Sequence, residues 1–256
     1  MMKYFPGNRL LISMLLICLF SIGMAAASPE QDMGLVEVQL LDPSITKDMR
    51  YATTDNFTGQ ILYPSDRCVL RQPVAYRLIQ AQRQLRAQGL GLKVFDCYRP
   101  LSVQRKMWAV YPDANYVANP ATGGSRHNRG ASVDVGLVDA SGRELLMPSA
   151  FDEFSERSHL DFMAATPEAL RNRQTLQAVM RQVGFSSVTT EWWHFDAPEW
   201  RDYEVSNMDP RFTISGSAQV LVVAQPRPGS VETVLWALQQ MQQGWRTILG
   251  PIAVNV

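Results

Sequence analysis

The chain has 256 residues, with 24 Lys and Arg against 24 Asp and Glu and 46% hydrophobic residues. That length can bury a substantial core in one domain with appendages. With 19% charged residues, 16 Gly and 15 Pro, the composition excludes a disordered chain, a collagen-like fibre and a coiled coil. A formal net charge of +0 gives no electrostatic case for an anionic membrane as the main partner, and no nucleic-acid partner is expected.

Lys3 and Arg9 precede an apolar run from Leu10 to Met24, and Ala25-Ala26-Ala27-Ser28 follows it. A basic start, a short apolar stretch and an A-x-A step form the pattern of a secretory signal peptide. The run falls short of the roughly 20 residues a spanning helix needs. Removal of residues 1–27 and release into the periplasm with no membrane span are therefore expected, an uncleaved anchor being the alternative. Ile17 before Cys18 is bulky where a lipoprotein signal would place a small residue. Beyond the leader, Cys68 and Cys97 form an even pair in an oxidising compartment, which leaves two alternatives, a disulfide or two buried free thiols.

The alternation of Val36, Val38 and Leu40 predicts a strand over residues 34–42. Val74, Leu78, Ala81 and Leu85 recur at helical spacing, so a helix is expected from Pro73 to Gln88 with Gly89 as its stop. Leu92 to Tyr98 is β-rich and ends at Arg99-Pro100. A short helix follows at Ser102–Trp108, then a polar, Gly-rich loop at Asn119–Gly130 and a strand at Val133–Val138. Pro167–Val183 reads as a second long helix closed by Gly184, and Thr189–Phe195 as β-like. Without a regular βαβ repeat, the expected class is α+β, a mixed or antiparallel sheet core with flanking helices. After Asp209-Pro210, residues 213–256 look like two or three strands with turns, around Gln219–Ala224, Gly244-Trp245 and Gly250-Pro251.

Histidines occur at His127, His159 and His194. A catalytic zinc takes three protein ligands and keeps one open position. His127, Asp134 and His194 would supply two imidazoles and a carboxylate, the Gly-rich loop allowing His127 to turn inward. Hydrolysis also needs a carboxylate that is not a ligand, to move the proton of the attacking water. Glu191, three residues before His194, is in place by connectivity, provided the chain bends there; a buried Glu paired with an arginine is the alternative. Arg99, at a strand end, could stabilise an oxyanion or simply lock a turn by pairing with Asp96. The acids at Asp152, Glu153 and Glu156 could bind a substrate ammonium group or form a solvated loop.

Ser125-x-His127-x-x-Gly130-x-Ser132-x-Asp134 together with Glu191-x-Trp193-His194 resembles the zinc motif pair of the D-alanyl-D-alanine dipeptidases, VanX-type enzymes related to zinc D,D-carboxypeptidases. The likeness extends over roughly residues 34–205, through Tyr51-Ala-Thr-Thr-Asp-Asn-Phe-Thr-Gly59, Asp96-Cys-Tyr-Arg-Pro100, Phe151-Asp152, Glu156-Arg-Ser-His159 and Gly184-Phe185. Ser132 stands where the family usually has alanine. The resemblance implies a zinc domain at residues 28–212, with one zinc ion per chain held by His127, Asp134 and His194. It implies Glu191 as general base and Arg99 as stabiliser of the tetrahedral intermediate. Ser125, Tyr51, Asp152 and Trp192 would line or anchor a dipeptide pocket, and His159 would be structural.

The activity implied is hydrolysis of D-alanyl-D-alanine to two D-alanines in the cell envelope. The alternatives are a D,D-carboxypeptidase or other peptidoglycan peptidase on longer peptides, and a zinc-containing cell-wall binding protein without turnover. Residues 219–256 are similar to the opening strands of L,D-transpeptidase-like domains, without their catalytic Cys/His region.

Overall fold

The computed structural model describes residues 34–211; the expected leader and the β-rich tail at 213–256 lie outside the described residues. Two sheets and four α-helices follow in chain order. They are β1 (Leu35–Glu37), α1 (Val38–Leu41), β2 (Thr46–Lys47), β3 (Val69–Arg71), α2 (Gln72–Arg86), β4 (Leu90–Asp96), α3 (Leu101–Val110), β5 (Ser132–Asp139), α4 (Pro167–Gln182), β6 (Ser186–Ser187) and β7 (His194–Asp196). β1 and β3 form a small antiparallel pair, and the main sheet runs β2-β4-β5-β7-β6. Its β2–β4 pairing is parallel and the rest antiparallel, so the α+β expectation holds. Among the described residues no helix is long and apolar enough to cross a membrane.

The two long helices form where the apolar period places them. In α2, Val74, Leu78, Ala81 and Leu85 are all buried, Pro73 sits in the first turn, and Gly89 takes the left-handed conformation that stops the helix (φ +72°). In α4, the Thr166 hydroxyl accepts from the Ala169 N–H at 3.2 Å, capping the N-terminus, and Leu176, Val179 and Met180 turn inward. These helices pack on each other, α2 also on β4 and α4 also on β5. Gln82 of α2 is buried and ties the layers together: its Nε2 donates to the Ser44 carbonyl at 3.0 Å and its Oε1 accepts from the Leu92 N–H at 2.7 Å.

Two predicted strands are cut short. The alternation over 34–42 produces only three strand residues, because β1 has only the three residues of β3 to pair with. Beyond Glu37 the Val38 N–H donates to the Cys68 carbonyl at 2.9 Å and the chain coils into α1. Val38 and Leu41, three apart, then face inward, while Leu40, expected in the core, is 66% exposed. The stretch 189–195 is a strand only from His194. Its preceding carbonyls are taken by other partners: Leu160 N–H to Thr189, Ser158 Oγ to Thr190 (2.7 Å), and Gln177 Nε2 of α4 to Trp192 (2.9 Å). Residues 192–193 are consequently a turn.

Cys68 and Cys97 are joined by a disulfide, wholly buried between the β3 and β4 segments. Thiol titration of the denatured, unreduced full chain is therefore expected to find one thiol, that of Cys18, and three after reduction. Replacing both Cys68 and Cys97 with alanine should lower stability by about 2–4 kcal/mol, read from urea unfolding, because the cross-link restricts the unfolded chain. Three titratable thiols before reduction would contradict the bridge.

Candidate active site

Three neighbouring strands bring the chemistry together. Asp96 of β4 lies opposite Asp134 of β5, and Asp134 lies opposite His194 of β7. Facing residues project from the same side of a sheet, so the two acids and the imidazole share one row. His127 reaches that row from a 3-10 turn over Arg126–Arg129. The turn is built by a reciprocal cap: Ser125 Oγ accepts from the His127 N–H, and Asn128 Oδ1 accepts from the Ser125 N–H at 2.7 Å. Gly130 ends it at φ +69°, where an added Cβ would meet Leu35 Cδ2 at 2.5 Å, so the site requires glycine.

The donor atoms form a tight triangle. His127 Nε2 lies 3.2 Å from Asp134 Oδ1 and 3.1 Å from His194 Nδ1, and the third side, His194 Nδ1 to Asp134 Oδ1, is 3.0 Å. Ligands about 2.0–2.1 Å from a tetrahedral zinc stand roughly 3.3 Å apart, so the triangle fits one face of such a coordination shell. The outer nitrogens agree. His127 Nδ1 is 2.7 Å from the Cys97 carbonyl, which can only accept, and His194 Nε2 is 3.0 Å from Asp196 Oδ1. Each imidazole spends its N–H outward and aims a lone pair at the centre, next to a carboxylate. Two lone pairs and a carboxylate oxygen converging in this way make a donor set suited to a cation. The field there is strong enough to raise His194 well above its ordinary value, Asp196 and Asp134 outweighing a burial that opposes it. Asp134 is lowered, burial being overcome by the two histidines. His127, Asp134 and His194 can therefore hold a metal ion.

Around this centre lies a cavity of about 310 Å³, lined among others by Tyr51, Arg99, Ser125, Asp152, Glu191 and Trp193. Its size is at the small end of ligand pockets, which run from roughly 300 to 1,000 Å³. The turn at 192–193 folds Glu191 back so that Oε2 stands 3.9 Å from His194 Nδ1. Burial, reinforced by Asp134 though opposed by His194, pushes the Glu191 carboxyl up to about 8. Arg99 both pairs with Asp96 and lines the cavity. Its Nε and Nη2 donate to Asp96 Oδ2 at 3.0 and 2.5 Å, and its Nη1 donates to Gln104 Oε1 at 2.8 Å. Asp96 is itself held by the Tyr63 hydroxyl (2.5 Å) and the Cys97 N–H (2.8 Å). Asp152 takes φ +59°, alone among the described non-glycine residues in that region. It accepts from the Tyr51 hydroxyl at 2.9 Å, and desolvation with Asp134 nearby holds its carboxyl well above the usual range.

The family model described as D-ala-D-ala dipeptidase (Peptidase_M15) matches residues 31–212. The chain belongs to this family. It is 37% identical over 169 residues to the D-alanyl-D-alanine dipeptidase of Escherichia coli (strain K12), covering 66% of this chain and 87% of that one. With the D-alanyl-D-alanine dipeptidase of Enterococcus faecium it shares 33% identity over 188 residues, 64% and 91% of the two chains. A solved structure of VanYB in complex with D-alanine-D-alanine is similar at 16% identity and a TM-score of 0.36, covering 55% of this chain and 77% of that one.

As a member of the Peptidase_M15 family the chain is a peptidase, and the fold gathers Tyr51, Arg99, Ser125, His127, Asp134, Asp152, Glu191 and His194 around the cavity of this peptidase. Trp192 is not among them. It is buried beneath, with Nε1 donating to Ser149 Oγ at 2.9 Å, and Trp193 forms the wall instead. His159 stands away from the centre, with Nε2 3.1 Å from the Tyr116 hydroxyl. Sequence reasoning missed the Cys97 carbonyl, which carries no side-chain signal, and Asp196, whose position two residues after His194 was the available clue. Asp96→Ala should cost about 3–5 kcal/mol by leaving Arg99 buried without its counter-ion. The urea midpoint checks this, and an unchanged midpoint would show that Arg99 does not depend on Asp96.

Proposed function

We propose that this chain hydrolyses D-alanyl-D-alanine to two D-alanines with one zinc ion per chain, in the periplasm. The observation that carries the reading is the convergence, in one small cavity, of the three-donor centre with Glu191, Arg99 and the Asp152–Tyr51 pair. A zinc ion held by His127, Asp134 and His194 supplies Lewis acidity that polarises the peptide carbonyl and makes water a nucleophile at neutral pH.

The chain's own groups do the rest. Asp152, fixed by Tyr51, binds the substrate ammonium group and so sets the scissile bond a fixed distance away. Ser125 Oγ accepts from the His127 N–H and has its own proton to offer the substrate carboxylate. Glu191 takes one proton from the attacking water and delivers it to the nitrogen of the leaving D-alanine, so the water oxygen ends on the new carboxyl group. Arg99, with three of its N–H groups committed to Asp96 and Gln104, is a rigid guanidinium whose charge stabilises the oxyanion that develops on the carbonyl. Export is supported by the leader-like residues 1–27 and by the Cys68–Cys97 disulfide, which suits an oxidising compartment.

Purified protein is expected to release D-alanine from free D-Ala-D-Ala, to stop on chelation and to recover with zinc; bound zinc without release would overturn the reading. Glu191→Ala should keep zinc and lose about 2–4 orders of magnitude in kcat. Asp152→Ala should lose roughly 10- to 100-fold in kcat/KM on the free dipeptide, the scale of one charge-assisted hydrogen bond. N-acylated D-Ala-D-Ala, which has no ammonium group, should be a poor substrate; efficient cleavage of it would favour a carboxypeptidase.

A further inference from the structure

The β5–β7 register that sets Asp134 opposite His194 also sets Ser132 opposite Asp196, two residues further along. With a period of two, all four side chains rise from the same face. Asp196 is almost wholly buried. Its Oδ1 accepts from His194 Nε2 at 3.0 Å and from the Ser132 hydroxyl at 2.6 Å, and its Oδ2 pairs with Arg126 Nη1. The Arg126 guanidinium is held in turn over the Trp200 ring, 4.6 Å from its centroid. Neither Asp196 nor Ser132 lines the cavity, so neither touches substrate.

We propose that Asp196, oriented by Ser132 and Arg126, is the positioning residue of the metal centre, resting on the zinc reading above. An imidazole has two nitrogens and can rotate about its attachment bond. Only the hydrogen bond at Nε2 fixes the proton there and leaves Nδ1 bare toward His127 and Asp134. A carboxylate left to itself would rotate as well. Ser132 on the facing strand and Arg126 on the opposite oxygen hold both of its oxygens, so the ring plane of His194 follows from strand register and not from the ion. His127 has the corresponding support from a backbone carbonyl, which no side-chain substitution removes. Asp196 is thus the point at which the centre can be loosened without altering a ligand.

The test is zinc affinity of the full chain, by competition with a chromophoric chelator, in the parent, Asp196→Ala, Asp196→Asn and Ser132→Ala. Loss of such an outer partner typically weakens metal binding roughly 10- to 100-fold, and this is the range expected for Asp196→Ala. Asp196→Asn, whose amide oxygen still accepts from Nε2, should recover part of the loss. Ser132→Ala deletes one hydroxyl and should weaken binding by roughly threefold or more in the same direction. The visible spectrum of the cobalt-substituted protein should shift in Asp196→Ala, reporting a changed ligand field. A merely structural role would lower the melting temperature of the metal-free protein and leave affinity and spectrum unchanged, which overturns the proposal. If Asp196→Ala does not fold, Ser132→Ala decides: affinity within twofold of the parent overturns it. A parent that binds no zinc overturns this proposal and the zinc reading together, whereas a zinc-binding parent with equally tight variants overturns the positioning role alone.

Discussion

The antiparallel register between β5 and β7 is the constraint on which the site depends. It places Asp134 against His194 and Ser132 against Asp196, and the adjoining β4 ladder places Asp96 against Asp134. A slip of one residue in β7 would turn His194 into the core and present Phe195 to the donor centre. The opposite face forbids that slip. Val133, Val135 and Phe195 are fully buried on it, and exchanging Phe195 for a histidine there would strand a polar ring in apolar surroundings. The precision of the centre is therefore borrowed from hydrophobic packing on the reverse side of the same three strands.

The third donor, His127, comes from a loop, and loops need separate fastening. The irregularity in β4 between Val94 and Asp96 re-aims the end of that strand, so that Asp96, Cys97 and Arg99 each take a task. Asp96 neutralises Arg99, the Cys97 carbonyl holds His127 Nδ1, and the Arg99 N–H donates to the His127 carbonyl at 3.0 Å. Asn128 closes the exchange by donating to the Arg99 carbonyl at 2.8 Å. The disulfide joins this strand end to the segment before β3, and the Tyr98 N–H donates to the Val69 carbonyl one residue further on. Covalent and hydrogen-bonded restraints thus converge on the peptide units that orient the least anchored member of the centre.

How much of this was legible follows from the kind of signal each feature leaves. α2 and α4 were readable because a whole apolar face, Val74 to Leu85 or Leu176 to Met180, repeats at the helical period and is buried accordingly. The strand over 34–42 and the β-like 189–195 misled because alternation over a few residues says nothing about whether a partner strand is long enough. The donor residues were visible as types in motifs, and Glu191 as a carboxylate that needed a bend. The bend itself is produced by Gln177, Ser158 and Leu160, distant in sequence. The choice between Trp192 and Trp193 as the cavity wall follows from that same turn, since adjacent side chains of a bent segment no longer alternate predictably. Arg99 pairs with Asp96 and also lines the cavity, and that pairing is what makes a buried cationic wall sustainable.

The charges of the cavity give these features a common logic. Arg99 is matched by Asp96, which leaves Asp134, Asp152 and Glu191 as three carboxylates facing one small space. Such a cluster resists full ionisation: burial and mutual repulsion raise Asp152 and Glu191, while Asp134 stays low only because two imidazoles adjoin it. The backbone adds to the tension, since holding Asp152 at φ +59° costs on the order of 1–3 kcal/mol. Phe151, stacked on Phe95 at 4.7 Å and set edge-on to Trp193 at 5.3 Å, keeps it in place. A fold that keeps three acids at this density, one of them on a strained backbone, is arranged for positive occupants. Two charges at the donor triangle and one ammonium group beside Asp152 would match the three carboxylates, whereas a ligand that lacks the ammonium would leave Asp152 to be silenced by a proton. The same electrostatic balance therefore favours positive charge both at the donor triangle and beside Asp152.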